Sequence, residues 1–414
     1  MSKRVKGALT TPHIKSLLAR IGSGVGGTKP ELIQRLQSDL SIPKLRDGTR
    51  TSRVLSVDMG IRNMAFCVCD VSVAAPSKNF LEKPPVKLDI LAWEPISVSD
   101  LAQHEEQASS SDPAALLSSQ LSQQGKESFR PSILSRTAYL LLKHKLLPYA
   151  PQTILIEQQR YRTNASSAIQ EWTYHVNMLE GMIWAILETL KQEQWADAAS
   201  KESPTSLPLF PSVFPVSPAR VAAFWMDNSE LGRAIRDASL ASRATRRSSA
   251  HSSSSGPADA DEEKGAAIEA DDETSTAAKK AGKKMSRSKV EKKDKIKLVE
   301  QWLLRNAERA SSSSAASPSD RDVELSFGGR EAGAMRDVFL SRLSKAAKRG
   351  GRGGTKKQAA AHTVDRSPLP DPKKLDDLAD CLLQVAAWAR WEGNRRAMLG
   401  LDERTLKEVA ERCS

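Results

Sequence analysis

The stretch from Arg53 to Val71, RVLSVDMGIRNMAFCVCDV, decides how the rest of the chain is read. It is mostly apolar or small, and Gly60 breaks it once, so the residues from Arg53 to Cys69 are expected to form two strands joined at that glycine. Asp58 ends the first of them. An ionised carboxylate beside a buried strand is costly unless it is paired or holds a cation.

Working outward, Lys87 to Glu94 reads as a third strand, and 103 to 130 as a Ser/Gln-rich loop. The segment 132–150, SILSRTAYLLLKHKLLPYA, has the spacing of an amphipathic helix. TILIEQQR, 153–160, is a short buried strand ending in Glu157, and Ser166 to Gln192 a long helix. Val213 to Val216 is a further strand before a turn at Pro218. EKKDKIKLVEQWLLRNA, 291–307, keeps a helical apolar stripe through Ile296, Val299, Trp302 and Leu303. A final helix is expected to start near Pro372 and stop close to Gly393, opened by Asp376, Asp377 and Asp380.

Residues 10–40, TTPHIKSLLARIGSGVGGTKPELIQRLQSDL, predict two short helices around a Gly-rich turn, capped at Thr11 and Thr28. The domain pattern is therefore a helical module over 1–45, a catalytic region over 50–227, its continuation as a helix over 291–307, and a C-terminal part over 371–414. The tracts 228–290 and 308–370 are dominated by Ser, Ala, Gly and charge, and are expected to be disordered or loop insertions.

The formal charge of +12 favours a polyanionic partner, because phosphates neutralised by Lys and Arg release counterions. The cysteines, Cys67, Cys69, Cys381 and Cys413, have no zinc spacing and suit a reducing compartment. No apolar run approaches the roughly 20 residues of a membrane span, so no membrane partner is expected. The first acidic residue is Glu31, and the basic, hydroxyl-rich segment before it suits either a transit peptide or a DNA-binding end.

Taken singly, each acid has an ordinary structural role available. Asp58 would serve a turn beside Gly60, Glu157 would pair with Arg160, and Asp376 and Asp377 would complement a helix N-terminus. Asp377 and Asp380, three apart, project from one helical face, and Asp376 with Asp380 is a second such pair. Together the strand acid, the strand-end acid and the helix acids favour a divalent cation cluster, for which hard oxygen ligands suit Mg²⁺ or Mn²⁺.

SVDMGIRNMAFCV (56–68), LIEQQRYRTN (155–164) and KKLDDLADCLLQ (373–384) resemble the motifs of fungal mitochondrial Holliday junction resolvases, relatives of bacterial RuvC in the RNase H-like superfamily. The N-terminal helical pair resembles a SAP motif, and the basic helix KKDKIKLVEQWL (292–303) matches too. The resemblance implies an α/β RNase H-like fold, a central mixed sheet flanked by helices, in a mitochondrial enzyme that cuts four-way DNA junctions as a homodimer. It places Asp58, Glu157, Asp377 and Asp380 at the catalytic metal site, with Asp376 the alternative to Asp377, and implies Mg²⁺ with Mn²⁺ substituting.

Arg62, Arg160, Arg162, Lys373 and Lys374 are the candidates for DNA backbone contact near the acids, and Lys29 is the candidate in the SAP-like module. A solvated basic turn explains Lys373 and Lys374 equally well. The long helix after Glu157 carries a core stripe of Trp172, Val176, Leu179, Ile183, Ile186 and Leu190, with Met178, Met182 and Trp184 left over for a dimer interface. The family also resembles a mitochondrial intron splicing factor that keeps the fold but has lost acids, so a non-catalytic RNA-binding relative is the alternative.

Overall fold

The computed structural model describes residues 9–46, 51–61, 64–74, 86–98, 129–159, 171–200, 210–251, 292–311, 323–350 and 374–411. Its centre is a six-stranded mixed sheet in the order β5-β4-β1-β2-β3-β6. β1 (Ser52–Asp58), β2 (Met64–Val73) and β3 (Val86–Ile96) form an antiparallel meander. β4 (Thr153–Glu157) lies parallel to β1, β5 (Ser212–Val216) parallel to β4, and β6 (Val323–Phe327) parallel to β3. β5 contains Pro215, which an edge strand tolerates because one row of its N–H groups needs no partner. Helices cover both faces, giving the central mixed sheet flanked by helices expected of an RNase H-like chain.

One face is covered by α3 (Pro131–Leu140) and α4 (Glu171–Ser200), which bury Leu134, Ala138, Val176, Leu179 and Ile183 against Leu55, Val57, Phe66 and Ile156. The end of α3 widens into a π turn over Leu141–Leu146 and tightens again over Leu147–Tyr149. The other face carries α5 (Pro218–Asn228), α7 (Lys292–Ser311), α8 (Arg330–Gly350) and α9 (Leu375–Met398), with α6 (Glu230–His251) following α5. α9 is the central helix: its residues from Leu378 to Trp391 are almost all buried against β1, β2 and β3. Among the described residues, no helix is long and apolar enough to cross a membrane.

Several expectations are corrected. Pro218 opens α5 instead of making a turn, because a proline's fixed φ and missing N–H suit the first helical position. α9 does not stop near Gly393 but runs on to Met398; a Cβ at Gly393 would stand 3.3 Å from Val73 Cγ1, so the glycine serves a close helix–sheet approach. The tract 228–290 contains α6, and the tract 308–370 contains β6 and α8. In α8 a stripe of Ala332, Met335 and Phe339 is buried, with the Phe339 ring 5.2 Å from that of Trp93 and with Val338, Leu340 and Leu343 partly buried beside it, and this burial orders the segment. Residues 99–128, which hold most of the loop expected over 103–130, and residues 252–291, 312–322 and 351–373 lie outside the described residues.

Of the N-terminal helices, α2 (Lys29–Ser41) is capped at Thr28 as expected, its N–H donating to Glu31 Oε2 at 2.7 Å, whereas α1 (Thr11–Arg20) is capped at Thr10 and not at Thr11, which is already its first helical residue. They do not form a unit of their own. Ile14, Leu17, Leu18, Ile21, Leu32 and Leu36 share a core with Met398 and with Val409 and Ala410 of α10 (Glu403–Glu411). Trp388 Nε1 donates to Lys44 O at 2.8 Å, the Lys44 N–H donates to Glu392 Oε2 at 3.0 Å, and Asn394 Nδ2 donates to Arg20 O at 2.7 Å. Gly22, at φ +73°, packs so close to Trp391 that a Cβ would lie 2.2 Å from its ring.

Gly22→Ala is therefore expected to cost about 2–4 kcal/mol, from the left-handed backbone and the ring clash together. Urea unfolding of the whole chain checks it; a change within experimental error would show that the module is not docked this way.

Candidate active site

Asp58 ends β1 and Glu157 ends β4. The parallel register that pairs Val57 with Ile156 sets the two carboxyls side by side. Asp58 is 8% exposed and its carboxyl is hydrogen-bonded to that of Glu157. Two carboxyls so placed can bond to each other only when one of them carries a proton. Burial pushes Asp58 well above the ordinary carboxylate range, helped by that hydrogen bond and by the charges of Glu157, Asp380 and Asp377. Burial also raises Glu157 and Asp380.

Asp377 and Asp380 enter from the first turns of α9, whose rotation is fixed by indole donors. Trp93 Nε1 donates to Leu378 O at 2.9 Å and Trp225 Nε1 to Leu383 O at 3.0 Å. Asp376 points elsewhere, into an ion pair with Lys292, whose hydrogen bond and charge outweigh burial and lower its pKa. Asp377 is raised to about 6, first by burial and then by the Asp376 charge. Of the adjacent pair, Asp377 is the one whose charge acts on Asp58.

The structure thus brings all four predicted acids to one end of the sheet. It also shows groups that the sequence reading passed over. Lys292 and Lys295, three apart on α7, pair with Asp376 and Asp380. Glu180 of α4 accepts the Gln159 N–H at 3.1 Å and so holds the chain just beyond Glu157. The signal for the lysines was their spacing on a helix of known apolar stripe; nothing local pointed to Glu180. Of the predicted DNA contacts, Lys374 is exposed just before α9 and Lys29 is exposed on α2, far along the chain from the acids. Arg62, Arg160, Arg162 and Lys373 lie outside the described residues.

Among the described residues, no three His, Cys, Asp or Glu side chains stand in an arrangement that would hold a metal as they are. The acids lie instead in pairs, Asp58 beside Glu157, where a hydrogen bond requires a proton, and Asp380 on the Lys295 ammonium. The donor set is nonetheless all carboxylate oxygen, buried and short of compensating charge, which fits a hard divalent cation once that proton and ammonium are replaced.

The family described as mitochondrial resolvase Ydc2 / RNA splicing MRS1 matches residues 54–398 by its catalytic-domain model. The mitochondrial cruciform cutting endonuclease 1 of Schizosaccharomyces pombe is 30% identical over 165 residues, 40% of this chain and 50% of that protein. The chain thus spans about half the length of the curated relative it matches. The crystal structure of the yeast mitochondrial Holliday junction resolvase Ydc2 aligns over 97% of this chain and 98% of its own, with a TM-score of 0.43 and 18% identity. The Thermus thermophilus RuvC structure aligns over 41% of this chain and 67% of its own, with a TM-score of 0.21 and 16% identity. Both superpositions are loose, and the fold rests on the sheet order above.

A carboxyl raised in the folded state keeps its proton at pH values where the unfolded chain has lost it, so stability falls as pH rises through that interval. For Asp377 the interval runs from the ordinary 3.8 to about 6, and Asp58, Glu157 and Asp380 act in the same sense. In chelator the protein is expected to melt lower near neutral pH than at about pH 5. Asp58→Asn should raise the neutral-pH Tm by about 2–4 °C. Calorimetry checks both; a lower Tm for the variant would contradict the reading.

Proposed function

The chain belongs to the mitochondrial resolvase Ydc2 / RNA splicing MRS1 family, and from that premise we propose that it is a structure-selective endonuclease that cuts four-way DNA junctions in mitochondria by metal-assisted phosphodiester hydrolysis. The observation that carries this reading is the gathering of Asp58, Glu157, Asp377 and Asp380 at one end of the sheet, with the first two side by side on paired strands. A fold gains nothing from such a set, since each member is raised by burial and by its neighbours. It is the arrangement that a hydrolytic centre needs.

Asp58, Glu157, Asp380 and Asp377 would hold Mg²⁺, or Mn²⁺ in its place, which when bound supplies charge stabilisation at the phosphate and a more acidic attacking water. Asp58 is the shared member, because the other three all act on it. Asp377, titrating at about 6, is suited to orient the attacking water or accept its proton near neutral pH. Trp93 and Glu180 are positioning residues: one fixes the rotation of α9, the other the chain after Glu157. Lys374 and Lys29, both exposed, are read as phosphate contacts, with Arg62, Arg160, Arg162 and Lys373 as further ones.

A homodimer would present two such centres to a junction of approximate two-fold symmetry. Exposed Tyr174 and Trp195 on α4, beside the half-buried Met178, Met182 and Trp184, supply apolar surface for it. The SAP-like pair, docked rigidly on α9 and α10, is read as an arm that holds duplex at a fixed offset from the acids. The family description also covers RNA splicing, and the retention of all four acids weighs against that reading here.

The test is incubation of the purified chain with a four-way junction, a duplex, an RNA–DNA hybrid and an intron RNA, with and without Mg²⁺. Mg²⁺-dependent cutting of the junction alone is expected. Asp58→Asn should lower its rate by about 10³-fold or more while leaving junction affinity within about threefold. Intron RNA bound in preference to the junction, without cleavage, would move the chain to the splicing branch.

A further inference from the structure

We propose that Lys295 is the resident counter-cation of the acid cluster: it competes with a divalent cation for Asp380, and metal entry displaces its ammonium toward solvent. The inference deepens the metal-binding reading above and rests on it.

Lys292 and Lys295 both leave α7 toward the acids, yet their surroundings differ. The Lys292 side chain is 73% exposed, and its partner Asp376 is not among the acids whose charge acts on Asp58. The Lys295 side chain is 15% exposed, and its partner Asp380 belongs to the four. The Lys295 charge also acts on Glu157, which is bonded to Asp58, so one ammonium reaches two of the proposed ligands. An ammonium only donates, and beside a divalent cation it meets direct repulsion. Lys295 takes Oδ2 of Asp380, so a metal ligated by the same carboxylate would lie close to the ammonium and be opposed by its charge. While Lys295 holds that carboxylate, no described group of three side chains is arranged to ligate. The same lysine should therefore stabilise the metal-free protein and weaken metal binding.

Two measurements on the full chain without DNA test this. In the unmodified protein, acetylation of lysine amines by an activated ester, read by mass spectrometry, should increase at Lys295 when saturating Mn²⁺ replaces chelator. It should stay constant at Lys293, which is exposed on the same helix. Mn²⁺ binding followed by electron paramagnetic resonance should become about fivefold tighter in Lys295→Gln and stay near the unmodified value in Lys295→Arg. Lys295→Gln should also melt lower in chelator and gain more from Mn²⁺. Unchanged or weaker Mn²⁺ binding in Lys295→Gln, or Lys295 labelling that Mn²⁺ leaves unchanged or lowers, would overturn the proposal. Should the glutamine variant not fold, the labelling of the unmodified protein decides alone. Absence of any saturable Mn²⁺ binding weakened by Asp58→Asn would instead remove the metal reading beneath it.

Discussion

The constraint on which the structure turns is that carboxylates are buried together with too little positive charge to balance them. Two acids on the first strand pair show the contrast. Asp70 of β2 faces Arg53 of β1 across the ladder and receives both arms of its guanidinium, at 2.8 and 3.0 Å. Asp58, five residues along β1 from Arg53 at the other end of the strand, has another acid for its neighbour. The first is an ion pair that ties together the two central strands. The second has, among the described residues, no cation between its members, and the surrounding fold imposes their proximity.

That fold is built to impose the proximity. Parallel pairing of β1 with β4 fixes the backbone of Asp58 beside that of Glu157, so both side chains leave the same end of the sheet from adjacent strands. α9 is clamped by Trp93 of β3 and Trp225 of α5, which donate to its carbonyls at Leu378 and Leu383, and by burial along most of its length. Its far end is anchored in turn. Glu392, fully buried, takes Arg395, Arg396 and the Lys44 N–H, and so ties the N-terminal helices to the helix that carries the acids. The module at one end of α9 and the acids at the other are thereby parts of one rigid piece.

Much of this was legible in the sequence. The continuous apolar run around Asp58 and the short TILI run before Glu157 have a single reading, because a strand buried on both faces needs apolar side chains at every position. The acids stood out against that background, and their grouping followed from the resemblance of the motifs. What was not legible depended on tertiary contact. β6 and α8 lie in a tract biased to Ser, Ala, Gly and charge, and their apolar residues are ordered by Trp93 and β3, neither of which is near in sequence. α10 is a short helix whose meaning lies in Val409 and Ala410 meeting α1. Asp376 and Asp377 are adjacent in sequence, and only the position of Lys292 shows which of the two is already paired. Lys295 was invisible for the same reason: a lysine on an amphipathic helix becomes part of a site only when another helix lays a carboxylate against it.

The measurement that bears most directly on the central claim is anomalous diffraction from crystals of the chain soaked in Mn²⁺. The account predicts a manganese peak ligated by Asp58 and Glu157, with Asp377 or Asp380 completing the set. A manganese-loaded crystal with that position empty, or with the acids still paired as they are now, would contradict it.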